Sequence, residues 1–208
     1  MIGAGRTDAG AHARGQVASV TISRAIEPAS LVRAVNARLP PSVRVVDAAG
    51  APATFHARFD AKSKLYRYRI WNREIISPFD RLYAWHLGAP ELDIEAMRTA
   101  ASILQGRHDF AAFQAAGASA TTTTRTILRS RIEVNARGFV RYDVAGDGFL
   151  RHMVRNMTGT LVEVGRGRRG VDWVAEVLAS RDRARAGPTA PAEGLFLLSV
   201  EYDMVLVQ

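Results

Sequence analysis

The ten residues from Lys62 to Trp71, KSKLYRYRIW, alternate strictly, with Leu65, Arg67 and Arg69 on one parity and Tyr66, Tyr68 and Ile70 on the other. A period of two is the signature of a strand, here one with an aromatic face, and it anchors the reading of everything downstream. Asp93 opens a helix, IEAMRTAASILQ, that ends at Gly106. Thr126 to Asn135 and Phe139 to Val144 read as strands joined across 136–138 in a hairpin. Leu150 to Val164 has helical apolar spacing at Leu150, Val154, Met157, Leu161 and Val164, Asp172 to Ser180 is a further short helix, and Leu195 to Tyr202 is a last strand. The low-complexity run Ala115 to Thr124, AAGASATTTT, has no periodicity and is expected to be an exposed loop. Strand, helix, strand, strand, helix, helix, strand is the order of a ferredoxin-like α+β sandwich.

Upstream, Gln16 to Ser23 is a strand candidate, and Pro28 to Leu39 is an amphipathic helix with Leu31, Val35 and Leu39 on one face, stopped by Pro40-Pro41. Val43 to Asp47 reads as a short buried strand and 48–54, with Gly50 and Pro52, as a linker. The expected domains are therefore 1–53 and 54–208, the first matching only the last half of the ferredoxin-like order. A composition of 48% hydrophobic and 23% charged residues excludes a disordered chain or a coiled coil. No apolar run approaches the roughly 18 residues of a membrane span, and the start MIGAGRTDAGAHARG is no secretion signal, so the expectation is a cytoplasmic protein. Zero Cys excludes disulfides, a thiol nucleophile and thiolate metal sites. His12, His56 and His108 lie in separate segments without ligand spacing, so no metal is expected. Lys plus Arg number 28 against 20 Asp plus Glu, a formal charge of +8, which points to a polyanion such as nucleic acid.

Residues able to carry chemistry fall in three places. Gly5-Arg6-Thr7-Asp8-Ala9-Gly10-Ala11-His12 sets one Asp in a tight glycine-rich loop, where a carboxylate serves either as a nucleophile or as a cap on its own turn. That loop spells neither GxGxxG nor GxxxxGK, which disfavours phosphate cradling. Phe55-His56-Ala57-Arg58-Phe59 and Tyr66-Arg67-Tyr68-Arg69 mix guanidiniums with rings, the chemistry of base stacking beside phosphate pairing, and equally of a Tyr/Arg ladder on a sheet surface. His152 and Arg155 lie three apart in the last long helical pattern, so they are expected to share a face after the turn at Gly146-Asp147-Gly148.

Taken in order, Gly5-Arg6-Thr7-Asp8-Ala9-Gly10 with His12, Val35-Asn36-Ala37-Arg38-Leu39-Pro40, Phe55-His56-Ala57-Arg58-Phe59, Tyr66-Arg67-Tyr68, Asp109-Phe110 with Phe113, His152-Met153-Val154-Arg155-Asn156 and Glu193-Gly194-Leu195 resemble the tRNA pseudouridine synthase A family. The resemblance runs over almost the whole chain. It implies the pseudouridine synthase fold, two ferredoxin-like or RRM-like α+β halves with antiparallel sheets, here with the N-terminal half incomplete. It implies isomerisation of uridine to pseudouridine at positions 38, 39 and 40 of the tRNA anticodon stem-loop by a homodimer, without cofactor, metal or membrane. Matched to the motifs, Asp8 would be the nucleophile, attacking either the ribose anomeric carbon or uracil C6, and Arg155 the cation that holds it. Tyr66 would stack on the target base and take the C5 proton, Arg6 would help displace the base from the stem, and Arg58 would contact the RNA. In the family a stretch of about fifty residues precedes the Asp loop, whereas five residues precede Arg6 here, leaving a remnant of about fifty residues that is marginal by surface-to-volume scaling and would depend on docking against the second domain or another subunit. Gln16 to Ser23 is then an unprotected edge and the helix at 28–39 lacks its partner. Two other readings follow: a catalytically inactive, truncated RNA-binding remnant of the same family, and a carboxylate-dependent glycosidase, for which Asp147 is the nearest second acid.

Overall fold

A computed structural model describes residues 1–115, 117 and 121–203. Of the loop expected at 115–124, residues 116 and 118–120 lie outside the described residues. The first segment holds β1 (Ile2–Gly3), β2 (His12–Ala13), β3 (Ala18–Ser19) and α1 (Pro28–Asn36). The rest carries β4 (Ser63–Trp71), β5 (Trp85–His86), α2 (Ile94–Ile103), β6 (Gly106–Asp109), β7 (Thr124–Val134), β8 (Val140–Gly146), α3 (Met153–Gly165), α4 (Trp173–Ser180) and β9 (Leu195–Glu201). The large sheet runs β2-β9-β4-β8-β7-β6, with β5 beside the end of β4. Its centre, β9-β4-β8-β7, is antiparallel throughout. That spatial order is the ferredoxin-like one, so the fold is the α+β class read from the pattern. Two additions were not legible: β2 joins one edge parallel to β9, with His12 opposite Phe196, and β6 extends the other.

The alternation in β4 places Tyr66, Tyr68 and Ile70 under the helices, all buried. Asp93 caps α2, its carboxylate accepting from the Ala96 amide at 2.9 Å. The centre of the molecule is α3, buried on all sides from Met153 to Gly165 except at Arg155 and Glu163. Its close approach to the segment 187–190 requires Gly159, where a Cβ would collide with the Pro188 carbonyl oxygen.

Three expectations need correction. The strand at Gln16 to Ser23 shrinks to Ala18–Ser19, paired only with Ile2–Gly3, while Val20 and Ile22 stay exposed. No strand forms at Val43 to Asp47: the side-chain amide of Asn36 takes both the Val45 N–H and the Val45 carbonyl at 2.8 Å, occupying the groups a ladder would use. The last long helix starts at Met153, not Leu150, because His152 sits at φ 62° and cannot continue a right-handed turn. His152 and Arg155 therefore do not share a helical face.

Among residues 1–53 only Ala4 is buried. α1 is capped by Glu27, whose carboxylate accepts from the Ala29 and Ser30 amides, yet none of its side chains is buried.

Candidate active site

The loop carrying Asp8 is held from three directions. The Ala4 amide donates to the Val17 carbonyl at 2.8 Å, the Gln16 side chain donates to the Gly5 carbonyl at 2.9 Å, and Lys64 Nζ donates to the Ala4 carbonyl at 2.7 Å. The turn closes through the Ala11 amide on the Asp8 carbonyl, with Gly10 at φ 83° supplying a conformation that L side chains avoid. His12, next along, stacks on Phe196 at 4.8 Å and bonds the Leu82 carbonyl, so it anchors the loop rather than facing the carboxylate.

Arg155 reaches this loop from the partly exposed side of α3. Its Nη1 donates to Asp8 Oδ2 at 2.7 Å and its Nε donates to the Ala190 carbonyl at 2.7 Å, while the Ala190 amide bonds back to the Arg155 carbonyl. A guanidinium fixed at two points can hold a carboxylate in one orientation, since neither partner is free to swing. His152 Nε2 approaches the other carboxylate oxygen, Oδ1, at 3.5 Å. Burial, with Arg155, Arg151 and Arg183 close by, outweighs the pull of Asp8 and holds the imidazole below its ordinary pKa.

Tyr66 projects from β4 toward the same loop and packs edge-on against Phe149 at 5.0 Å between ring centroids. Burial, reinforced by the Asp8 charge, pushes its phenol up to about 12, so the group is neutral near pH 7. The ring is placed to offer an apolar surface and a hydroxyl. Beside His152 opens a cleft of about 480 Å³, lined by Arg151, Arg183, Pro188 and Thr189.

The structure thus brings Asp8, Tyr66 and Arg155 together and leaves Arg6 and Arg58 apart from them. Arg6 is exposed on the loop, two residues before Asp8, and Arg58 is exposed on the turn 56–60, stacked 5.9 Å from the Phe59 ring. His56 closes that turn, its Nδ1 accepting from the Arg58 and Phe59 amides. Lys64 joins the site unannounced by any motif, its parity with Tyr66 on β4 being the one sequence signal that puts it on the same face; burial and the nearby Arg58 charge hold its ammonium pKa below the ordinary value. Spacing alone makes His152 a helical neighbour of Arg155, and nothing in the sequence signals its left-handed backbone. The run Gly165 to Gly170 spells GxGxxG, but it follows the C-terminal end of α3 rather than joining a strand to a helix start, so it builds no phosphate loop. Among the described residues no three His, Asp or Glu side chains cluster as a metal site, and no helix is long and apolar enough to cross a membrane.

A carboxylate held by a guanidinium, with a buried tyrosine and a basic cleft close by, is the kind of constellation an enzyme acting on an anionic substrate carries. A family model described as tRNA pseudouridine synthase matches residues 100–203. The chain is 51% identical over 199 residues to tRNA pseudouridine synthase A of Myxococcus xanthus, covering 96% of this chain and 75% of that protein. It is 48% identical to the enzyme of that name from Syntrophotalea carbinolica, covering 97% of this chain and 79% of the relative, and 47% identical to that of Moorella thermoacetica, covering 97% and 81%. The chain belongs to the tRNA pseudouridine synthase family, whose members are isomerases.

Proposed function

We propose that this chain converts uridine to pseudouridine at positions 38, 39 and 40 of the tRNA anticodon stem-loop, with Asp8 as the nucleophile. The observation that carries the reading is the Asp8–Arg155 pair beside Tyr66. On one route an Asp8 oxygen attacks ribose C1′ and the bond to N1 breaks, its electron pair leaving with the uracil. The base turns, C5 bonds to C1′ and expels the carboxylate, the C5 proton departs and N1 gains one. On the other route the carboxylate adds first to uracil C6, the C1′–N1 bond breaks with its electron pair leaving on the base, the tethered base turns, C5 bonds to C1′, and loss of the C5 proton expels the carboxylate from C6 while N1 gains a proton. Atoms and electrons balance within the substrate, so neither route needs a cofactor or a metal.

Arg155 holds the nucleophile through each step, and Tyr66, neutral and buried, stacks on the turning base. A phenol with so high a pKa takes the C5 proton only if it passes its own proton onward. Arg6, exposed two residues before Asp8 on the same loop, is suited to fill the space of the displaced base or pair its phosphate, and Arg58 to contact the RNA further out. The reading also implies a cytoplasmic homodimer, which light scattering of the purified chain would test.

The direct test is incubation with unmodified tRNA. Product in the wild type and none in Asp8→Asn is expected. A second reading, an inactive RNA-binding remnant, draws support from the near absence of buried side chains in residues 1–53. Retained tRNA without product from the wild-type chain would favour it. Among the described residues no second acid pairs with Asp8; Asp147 instead accepts from the Thr126 amide, which argues against the glycosidase.

A further inference from the structure

Only two described residues other than glycine have positive φ, His152 at 62° and Arg181 at 54°. A left-handed backbone is unfavourable at a residue with a Cβ, and something must hold it there. Capping does not: His152 stands at the N-terminus of α3, but its side chain makes no capping bond, in contrast to Glu27 on α1 and Asp93 on α2. What the conformation does is turn the imidazole back onto Asp8, bringing Nε2 to 3.5 Å from Oδ1 while Arg155 holds Oδ2. The other side of the ring borders the basic cleft.

The charged groups facing His152 come from four places: Asp8 on the N-terminal loop, Arg155 on α3, Arg151 in the turn before it, and Arg183 in the short turn after α4. Arg183 is fully engaged with the Ala186 and Gly187 carbonyls, Asn156 and Thr189. Three guanidiniums and partial burial favour the neutral ring. At 3.5 Å a neutral N–H pulls weakly on Oδ1, enough to fix its direction without consuming it. An imidazolium would close to a charge-assisted bond of about 2.8 Å and compete with an electrophilic carbon for the same oxygen.

We propose that His152 is a positioning residue for the nucleophile: the neutral imidazole steers Oδ1, the oxygen that Arg155 leaves free, and its protonation withdraws that oxygen, so His152 sets the acid limit of catalysis. This rests on Asp8 being the nucleophile.

The test is the single-turnover rate on unmodified tRNA between pH 5 and 8, with tRNA affinity measured alongside, for wild type, His152→Asn, His152→Gly and Asp8→Asn. Asparagine tolerates the left-handed backbone and offers an amide N–H that does not titrate. We expect it to stay within about threefold of wild type at pH 7.5 while the acid limb, found below pH 6.5 in the wild type, moves down by about one unit. Glycine adopts the backbone freely but removes the ring, and should lose about tenfold in rate at pH 7.5 with affinity within about twofold. An unchanged acid limb in His152→Asn, or a full rate in His152→Gly, overturns the proposal. Product from Asp8→Asn sinks the nucleophile reading and this one together, whereas a dead Asp8→Asn beside an unaltered His152→Asn profile sinks this inference alone. An NMR titration reads the contact without turnover: the His152 pKa should lie below 6.5 and fall further in Asp8→Asn. A value indifferent to that substitution would overturn the coupling.

Discussion

At Gly194 the ring of Tyr68 occupies the space where any side chain would begin: a Cβ there would lie 2.6 Å from Tyr68 Cε1 and 2.8 Å from the Arg69 carbonyl. The same tyrosine donates its hydroxyl to the Pro191 carbonyl at 2.6 Å, so the ring cannot move away without losing that bond. Gly194→Ala should therefore cost about 1–3 kcal/mol, seen as a lower urea midpoint at unchanged slope. Arg155 is fixed by shape as much as by charge. Arg155→Lys keeps the positive charge but cannot reach both Asp8 and the Ala190 carbonyl, and we expect a single-turnover rate about ten- to a hundredfold lower with an unchanged melting temperature. The residue types in the Asp8 loop and around Arg155 were legible as chemistry in the sequence. Their pairing across 147 positions follows from the family resemblance and not from any local pattern, because spacing along the chain does not encode a contact made by a tertiary approach.

Among the elements, α3 and α1 show how little amphipathic spacing says about burial. Both have an apolar stripe, yet α3 is enclosed by α2, β4 and the segment 187–190, and α1 buries nothing. Leu161→Ala should cost about 2–5 kcal/mol, whereas Leu31→Ala in α1 should cost under about 1 kcal/mol by chemical denaturation. Asp109 joins β6 to its neighbours: its carboxylate accepts from the Thr123 hydroxyl at 2.6 Å and from the Ala111 amide, and pairs with Arg181. The Thr123 hydroxyl above all, with the Ala111 amide and the Arg181 charge, holds its carboxyl below the ordinary value near 3.8. The unfolded chain binds that proton first, so the stability Asp109 contributes is present above about pH 4 and lost as pH falls through the lower folded value. Asp109→Asn should flatten the fall of melting temperature over that acid window.

The whole molecule is uneven. Residues 62–202 carry nearly all of the core, and residues 1–53 are joined to it by contacts that include β2 against β9, His12 on Leu82 and Phe196, Lys64 on Ala4 and Arg155 on Asp8. Hydrogen exchange should find the amides of 16–50 protected far less than those of β4, β8 and α3, which would also support the proposed division at 53. The excess of basic residues should make tRNA binding weaken at least tenfold between 50 and 200 mM salt, read from a linear plot of log affinity against log salt. The ferredoxin-like order, the aromatic face of β4, the α2 start at Asp93 and the basic charge were all determined by the sequence alone, because alternation, spacing and capping are local and follow from backbone geometry. Only the tertiary structure decided that Val43 to Asp47 is no strand, that His152 leaves the helix, and which oxygen of Asp8 each neighbour meets. Those outcomes depend on which partner arrives from a distant part of the chain to satisfy a hydrogen bond, cover an apolar side chain or hold a strained backbone.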